Sequence, residues 1–141
     1  VMEGPDDPTL LVVDDEPEIN RLVKRIFEKR GYRVTTASDG AEALAMVAKE
    51  RPHLILLDLN LPKIDGWEVC RRLKSDPQTR AIPIIMLTAA HANVDDAHIG
   101  LALGADEYVA KPFVKAVLLH NVERLLDRPV SEETNPGDVP P

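Results

Sequence analysis

Five short apolar runs, Leu10 to Val13, Val34 to Ala37, Leu54 to Leu57, Ile84 to Leu87 and Tyr108 to Ala110, alternate with longer stretches whose apolar residues recur at helical spacing. This alternation restricts the chain to repeated β-α units, because parallel neighbours must be joined by helical crossovers that cover the sheet faces. The first, third and fourth runs are almost wholly apolar, as strands covered on both faces require. The second is diluted by Arg33, Thr35 and Thr36 and reads as an edge. At 141 residues the chain is long enough for one domain that buries about 68% of its unfolded surface.

Helix signals fall between the runs. Ile19, Leu22, Val23, Ile26 and Phe27 form one apolar stripe, and Gly31 stands where a left-handed C-cap is favoured. Ser38 or Asp39 is placed to cap a second helix through Leu44 and Val47, and Asp65 a third over 66 to about 75. A fourth is expected over 94–103 and a fifth from 113 to about 127. Residues 1–8 read as a flexible N-terminal segment, 9–128 as the folded domain, and 129–141 as a flexible acidic, proline-rich tail or severed linker with too little apolar surface to pack.

Charge and composition narrow the partners. A net charge of -7 and 4% aromatics argue against direct nucleic-acid binding. No run nears the roughly 18 apolar residues of a membrane span, the N-terminal segment lacks a basic, hydrophobic signal region, and Cys70 has no disulfide partner. A reducing cytoplasm, without membrane contact, is the expected setting.

Polar residues stand at the runs' carboxyl ends: Asp14 and Asp15, Asp58, Thr88 and Lys111. In an open parallel sheet those ends form the ligand crevice, so the five converge. Adjacent carboxylates suit a hard cation such as Mg²⁺, which keeps several waters and needs few protein ligands. A bland alternative is that Asp14 or Asp15 caps the helix starting near Pro17; one such cap is expected beside the metal role. Asp58 is a candidate nucleophile toward phosphorus, with Lys111 as the cation and Thr88 as a hydroxyl donor to the transferred group.

The segments "LLVVDDEPE", "LILLDLNLPKIDGWEV", "PIIMLTA" and "GADEYVAKPF" resemble the motifs of bacterial response-regulator receiver domains, over about Thr9 to Leu126. The resemblance implies a flavodoxin-like (βα)5 three-layer sandwich with parallel strand order 2-1-3-4-5. It implies Asp58 as phosphoacceptor, Mg²⁺ held by Asp14, Asp15, Asp58 and the backbone carbonyl of Asn60, Thr88 and Tyr108 as switch residues, and a cis Lys111-Pro112 peptide. Asn60 and Ala90 occupy positions that tune phosphoryl lifetime in that family.

The function so implied is a phosphorylation-activated switch of a two-component phosphorelay. It takes phosphate from a sensor histidine kinase or histidine phosphotransfer protein docked on the first helix. It then alters the face built from the fourth helix, fifth strand and fifth helix for a downstream target or effector domain, with a phosphorylation-dependent dimer as a further outcome. It catalyses its own phosphorylation and dephosphorylation and turns over no metabolite. Two alternatives stand beside this: a receiver fragment of a larger regulator or hybrid kinase, and an aspartate-nucleophile phosphohydrolase, disfavoured because Asn60 replaces that family's second acid.

The remaining candidates are weaker. His53, His91, His98 and His120 lack metal-site spacing and are expected at surface or boundary positions, with His91 a candidate phosphodonor contact. Cys70 is expected to be packed and inert, and Gly66 and Trp67 to serve loop geometry and packing.

Overall fold

A computed structural model describes residues 7–89 and 104–126. The described chain runs β1 (Thr9–Val13), α1 (Pro17–Glu28), β2 (Arg33–Ala37), α2 (Gly40–Lys49), β3 (Leu54–Asp58), α3 (Gly66–Ser75), β4 (Ile84–Ala89), β5 (Glu107–Lys111) and α4 (Lys115–Leu125). The helix expected over 94–103 lies outside the described residues, so α4 is the fifth helix of the sequence reading.

All strands are parallel, in the order β2-β1-β3-β4-β5. The diluted second run is an edge, as expected, and β5 is the other. Each strand is longer than its apolar run because parallel pairing carries the ladder past the apolar residues: Thr9 pairs with Arg33, Asp58 with Leu87, and Ala89 with Lys111.

Period-two alternation splits the core into two layers. Leu10, Val12, Leu54, Leu56, Ile85, Leu87 and Val109 face one side, where α1 contributes Val23, Ile26 and Phe27 and α4 contributes Leu118, Leu119 and Val122. Leu11, Val13, Ile55, Leu57, Ile84 and Met86 face the other, against Ala43 and Val47 of α2 and Val69, Cys70 and Leu73 of α3. The result is the three-layer flavodoxin-like sandwich with order 2-1-3-4-5.

Local signals explain the helix starts. Asp39 accepts from the Glu42 amide at 2.7 Å and Asp65 from the Glu68 amide at 2.9 Å, each filling one orphan donor of a first helical turn. Gly31 has φ +88, the left-handed geometry expected beyond α1. The cap expected from Asp14 or Asp15 is absent: Glu16 holds the N-cap position of α1 without a side-chain cap bond. The Asp14 carboxylate instead accepts the Glu16 amide at 2.9 Å, ahead of the helix, because Pro17 sets the helix start three residues on.

At the amino ends of the last two strands, Lys74 closes a polar lock. Its ammonium donates to the carbonyls of Arg80 (3.0 Å) and Ile82 (2.7 Å) and lies 3.3 Å from Asp106, whose carboxylate accepts the Ile84 amide at 2.8 Å. The lock ties the end of α3 to the starts of β4 and β5.

Candidate functional site

Parallel pairing brings the carboxyl ends of β1, β3, β4 and β5 to one edge, and with them most of the residues singled out above. Asp14 follows β1 and is fully buried, and Asp58 ends β3 and is 5% exposed. Lys111 ends β5 and reaches back across the sheet: its ammonium bonds Asp14 at 2.6 Å and lies 3.6 Å from Asp58 and 3.8 Å from Glu16. Thr88 is buried on β4, one residue beyond the Leu87 that pairs with Asp58.

Gly66 allows the β3–α3 loop to close over Asp58. A Cβ there would run into the Asp58 carbonyl oxygen and meet Leu59 Cα at 2.8 Å, while the Gly66 amide donates to the Leu59 carbonyl at 2.9 Å. Its role is thus geometric, and Trp67 is half-buried against the α2/α3 core layer. Asn60 is exposed and its amide approaches the Asp58 carboxylate at 3.4 Å.

The electrostatics follow from crowding. Burial and the neighbouring Asp14 carboxylate raise the Asp58 pKa to about 6, against the opposing pull of Lys111 and the Asn60 amide. For Lys111, burial opposes the charge, but the hydrogen bond to Asp14 and the Asp14, Asp58 and Glu16 charges outweigh it, and its pKa sits above the ordinary lysine value. At neutral pH Asp58 is largely ionised and Lys111 is charged.

Asp14, Asp15 and Glu16 form the compact carboxylate group among the described residues, with ligand oxygens all within 4.8 Å of one another. Asp14 is buried while Asp15 and Glu16 are exposed, so the group opens to solvent. Asp58 is outside this trio, and Lys111 links it to Asp14 and Glu16. Glu16 was missed in the sequence reading, although it stood in view as the third acid of "DDE".

Other candidates lie elsewhere. Tyr108 pairs with Met86 and packs on the α2/α3 layer, three residues before Lys111; its hydroxyl is buried with no hydrogen-bond partner among the described residues. His53 accepts the Thr9 amide at 2.9 Å, at the amino end of β1. His120 is half-buried on α4. Cys70 is buried, and burial pushes its thiol up to about 11, so it is inert. The Lys111-Pro112 peptide is cis. Ala90, His91 and His98 lie outside the described residues.

Residues 10–123 match the family model described as the response regulator receiver domain, and the chain belongs to that family. It is 44% identical over 121 residues to the DNA-binding dual master transcriptional regulator RpaA of Synechocystis, covering 86% of this chain and 50% of that protein. It is 47% identical over 119 residues to the alkaline phosphatase synthesis transcriptional regulatory protein PhoP of Bacillus subtilis, covering 84% and 48%. Among solved structures it matches the receiver domain of a sensor histidine kinase from Pseudomonas aeruginosa, with a magnesium ion coordinated in its active-site cleft, at TM-score 0.78 and 33% identity, covering 86% and 98%.

The chain spans about half the length of the curated relatives it matches. It is a receiver domain of two-component signalling, and receiver domains are signalling switches rather than turnover enzymes; the phosphohydrolase alternative is not favoured. RpaA is named as DNA-binding, which runs partly against the expectation of no direct nucleic-acid contact. No helix among the described residues is long and apolar enough to cross a membrane.

Proposed function

We propose that Asp58 accepts a phosphoryl group from a partner phosphohistidine, of a sensor histidine kinase or a histidine phosphotransfer protein, with Mg²⁺ held at the Asp14–Asp15 end of the site. The observation that carries this reading is the row of buried Asp14 and Asp58 bridged by half-buried Lys111 at the carboxyl ends of three strands, with the exposed Asp15 and Glu16 beside it. Three carboxylates, Asp14, Asp58 and Glu16, lie within 4 Å of one ammonium and Asp15 adjoins them, a surplus that a hard cation with oxygen ligands relieves. The donor set fits Mg²⁺: buried Asp14 and exposed Asp15 as carboxylate ligands, with Asp58 and the Asn60 carbonyl on the adjoining loop. When bound, the ion neutralises charge on the phosphoryl oxygens.

The chain's own groups do the rest. Asp58 is ionised above about pH 6 and attacks phosphorus through a carboxylate oxygen; the phosphohistidine nitrogen leaves with the bonding pair, giving an aspartyl phosphate. Lys111 is held charged by its acidic neighbours and can pair with a phosphoryl oxygen, since its 3.6 Å approach to Asp58 is looser than its bond to Asp14. Thr88 supplies a hydroxyl from the neighbouring strand. We further assign the readout to Thr88 and Tyr108. The buried Tyr108 hydroxyl has no partner among the described residues, and an unpaired buried hydroxyl is costly, which makes the ring a group whose resting place a modest rearrangement can change.

Residues 9–128 form the switch in this reading, and 129–141 lead toward an effector, as the half-length match to transcriptional regulators suggests. With Mg²⁺ and acetyl phosphate, intact-mass analysis should show one acid-labile phosphoryl adduct. The adduct should be missing from Asp58→Asn; undiminished labelling of that variant would refute the assignment.

A further inference from the structure

We propose that Asn20 is a positioning residue for the acidic pair: its buried amide pins the peptide plane between Asp14 and Asp15, so that the two carboxylates open toward one cation. This rests on the metal-assisted reading of the site above. Asn20 stands in the first turns of α1 and is 8% exposed. Its side-chain N–H group donates to the Asp14 carbonyl at 2.9 Å and to the Ala37 carbonyl at 3.2 Å. The Asp14 amide donates to the same Ala37 oxygen at 3.1 Å.

Asp14 lies one residue beyond β1, where the strand ladder has ended. Both of its backbone polar groups are nevertheless paired: the N–H to the end of β2 and the C=O to the start of α1. The Asp14 carbonyl and the Asp15 amide share one rigid plane. Holding that oxygen therefore fixes the direction in which Asp15 leaves the turn, while the Asp14 carboxylate is held separately by the Glu16 amide and Lys111. A role in helix packing alone would call for a different side chain. An amide is unfavourable on a buried apolar face unless it is bonded, and asparagine is a weaker helix former than leucine. The second polar atom, Asn20 Oδ1, is buried with no partner among the described residues, so packing and solvation are both sacrificed to keep the two donor bonds.

The test uses the whole chain. Mg²⁺ dissociation constants are measured for the wild type, Asn20→Ala and Val122→Ala, the last removing buried α4 core without touching the acidic turn. Losing an outer partner that orients a ligand typically weakens metal binding by ten- to a hundredfold, so Asn20→Ala should bind Mg²⁺ about tenfold more weakly. Val122→Ala should lower the thermal midpoint yet keep its dissociation constant within about twofold of the wild type. The Asp14 amide proton should also lose exchange protection in Asn20→Ala while those of Leu10 and Leu56 in the core keep theirs relative to global stability. Unchanged Mg²⁺ affinity in Asn20→Ala, or an equal loss in Val122→Ala, overturns the proposal. If Asn20→Ala does not fold, the wild type decides: slow exchange of the Asn20 side-chain amide protons, with resonances that move on adding Mg²⁺, supports the proposal, and free-amide exchange rates overturn it. Absence of Mg²⁺ binding by the wild type would instead overturn the metal reading on which the proposal stands.

Discussion

The two ends of the sheet each bury a lysine to nearly the same depth, and they use it in opposite ways. At the amino ends, the Lys74 side chain is 15% exposed and meets one carboxylate and two backbone carbonyls, while that carboxylate also takes a backbone amide. At the carboxyl ends, the Lys111 side chain is 16% exposed and meets Asp14, Asp58 and Glu16, with Asp15 close by. The first arrangement is balanced and closed, and it holds α3 to the sheet. The second carries surplus negative charge at an opening to solvent, and folding alone gives no reason for it. Imbalance of this kind, and not burial of charge as such, separates a site from a bolt.

Exchanging the two lysines in turn should break the symmetry most strongly. Lys111→Met should slow phosphorylation from acetyl phosphate about a hundredfold, the scale of losing one charged stabiliser of a developing anion. Lys74→Met should leave that rate within about twofold yet cost about 2 kcal/mol of stability, because two carbonyls and Asp106 lose their donor. Stopped-flow or quench labelling together with denaturant melts would check both. Slowed labelling in Lys74→Met would show that the amino-end lock is coupled to the site.

A smaller effect sharpens the electrostatic half of the contrast. The Asp58 pKa is raised to about 6, above its unfolded value, so the native state holds that proton more tightly. Its contribution is therefore favourable at low pH and is lost as pH rises from about 4 through 6. The full linkage is about 3 kcal/mol, and solvent screening at the open side reduces it to on the order of 1 to 2 kcal/mol. Without Mg²⁺, Asp58→Asn should accordingly gain stability relative to the wild type as pH increases across that window. A stability difference that does not change with pH would contradict the raised pKa.

The smallest change is expected farthest from both ends. Deleting 130–141 should move the thermal midpoint by less than about 2 °C and leave the labelling rate unchanged, since the composition of that segment offers little apolar surface. Differential scanning calorimetry would detect a tail that packs.

Much of this was legible in the sequence because it depends on nearby residues. Apolar runs, the Asp39 and Asp65 caps and the turn at Gly31 are local signals, and they place the described strands and helices within a residue or two. The strand-end residues could be gathered because parallel β-α units bring like ends together. What stayed hidden depends on contacts between distant segments. Lys111 bonds Asp14 across 97 positions and Lys74 meets Asp106 across 32, and neither spacing repeats in a pattern that could be read. Asn20 looks like an ordinary polar helix residue until the Ala37 carbonyl is seen beside it. The expected Asp14 or Asp15 cap failed for a related reason: Pro17 sets the helix start, and Asp14 turns inward to Lys111.

The surplus charge at the carboxyl ends is the central claim, and thermal melts with and without Mg²⁺ test it most directly. A cation bound only by the native state raises stability by about 1.4 kcal/mol at ten times its dissociation constant. Mg²⁺ should therefore raise the midpoints of the wild type and Lys74→Met by the same increment, and that of Asp15→Asn by far less, even if removing one of the crowded acids raises the metal-free midpoint of that variant. An equal increment in Asp15→Asn, or none in the wild type, would contradict the claim.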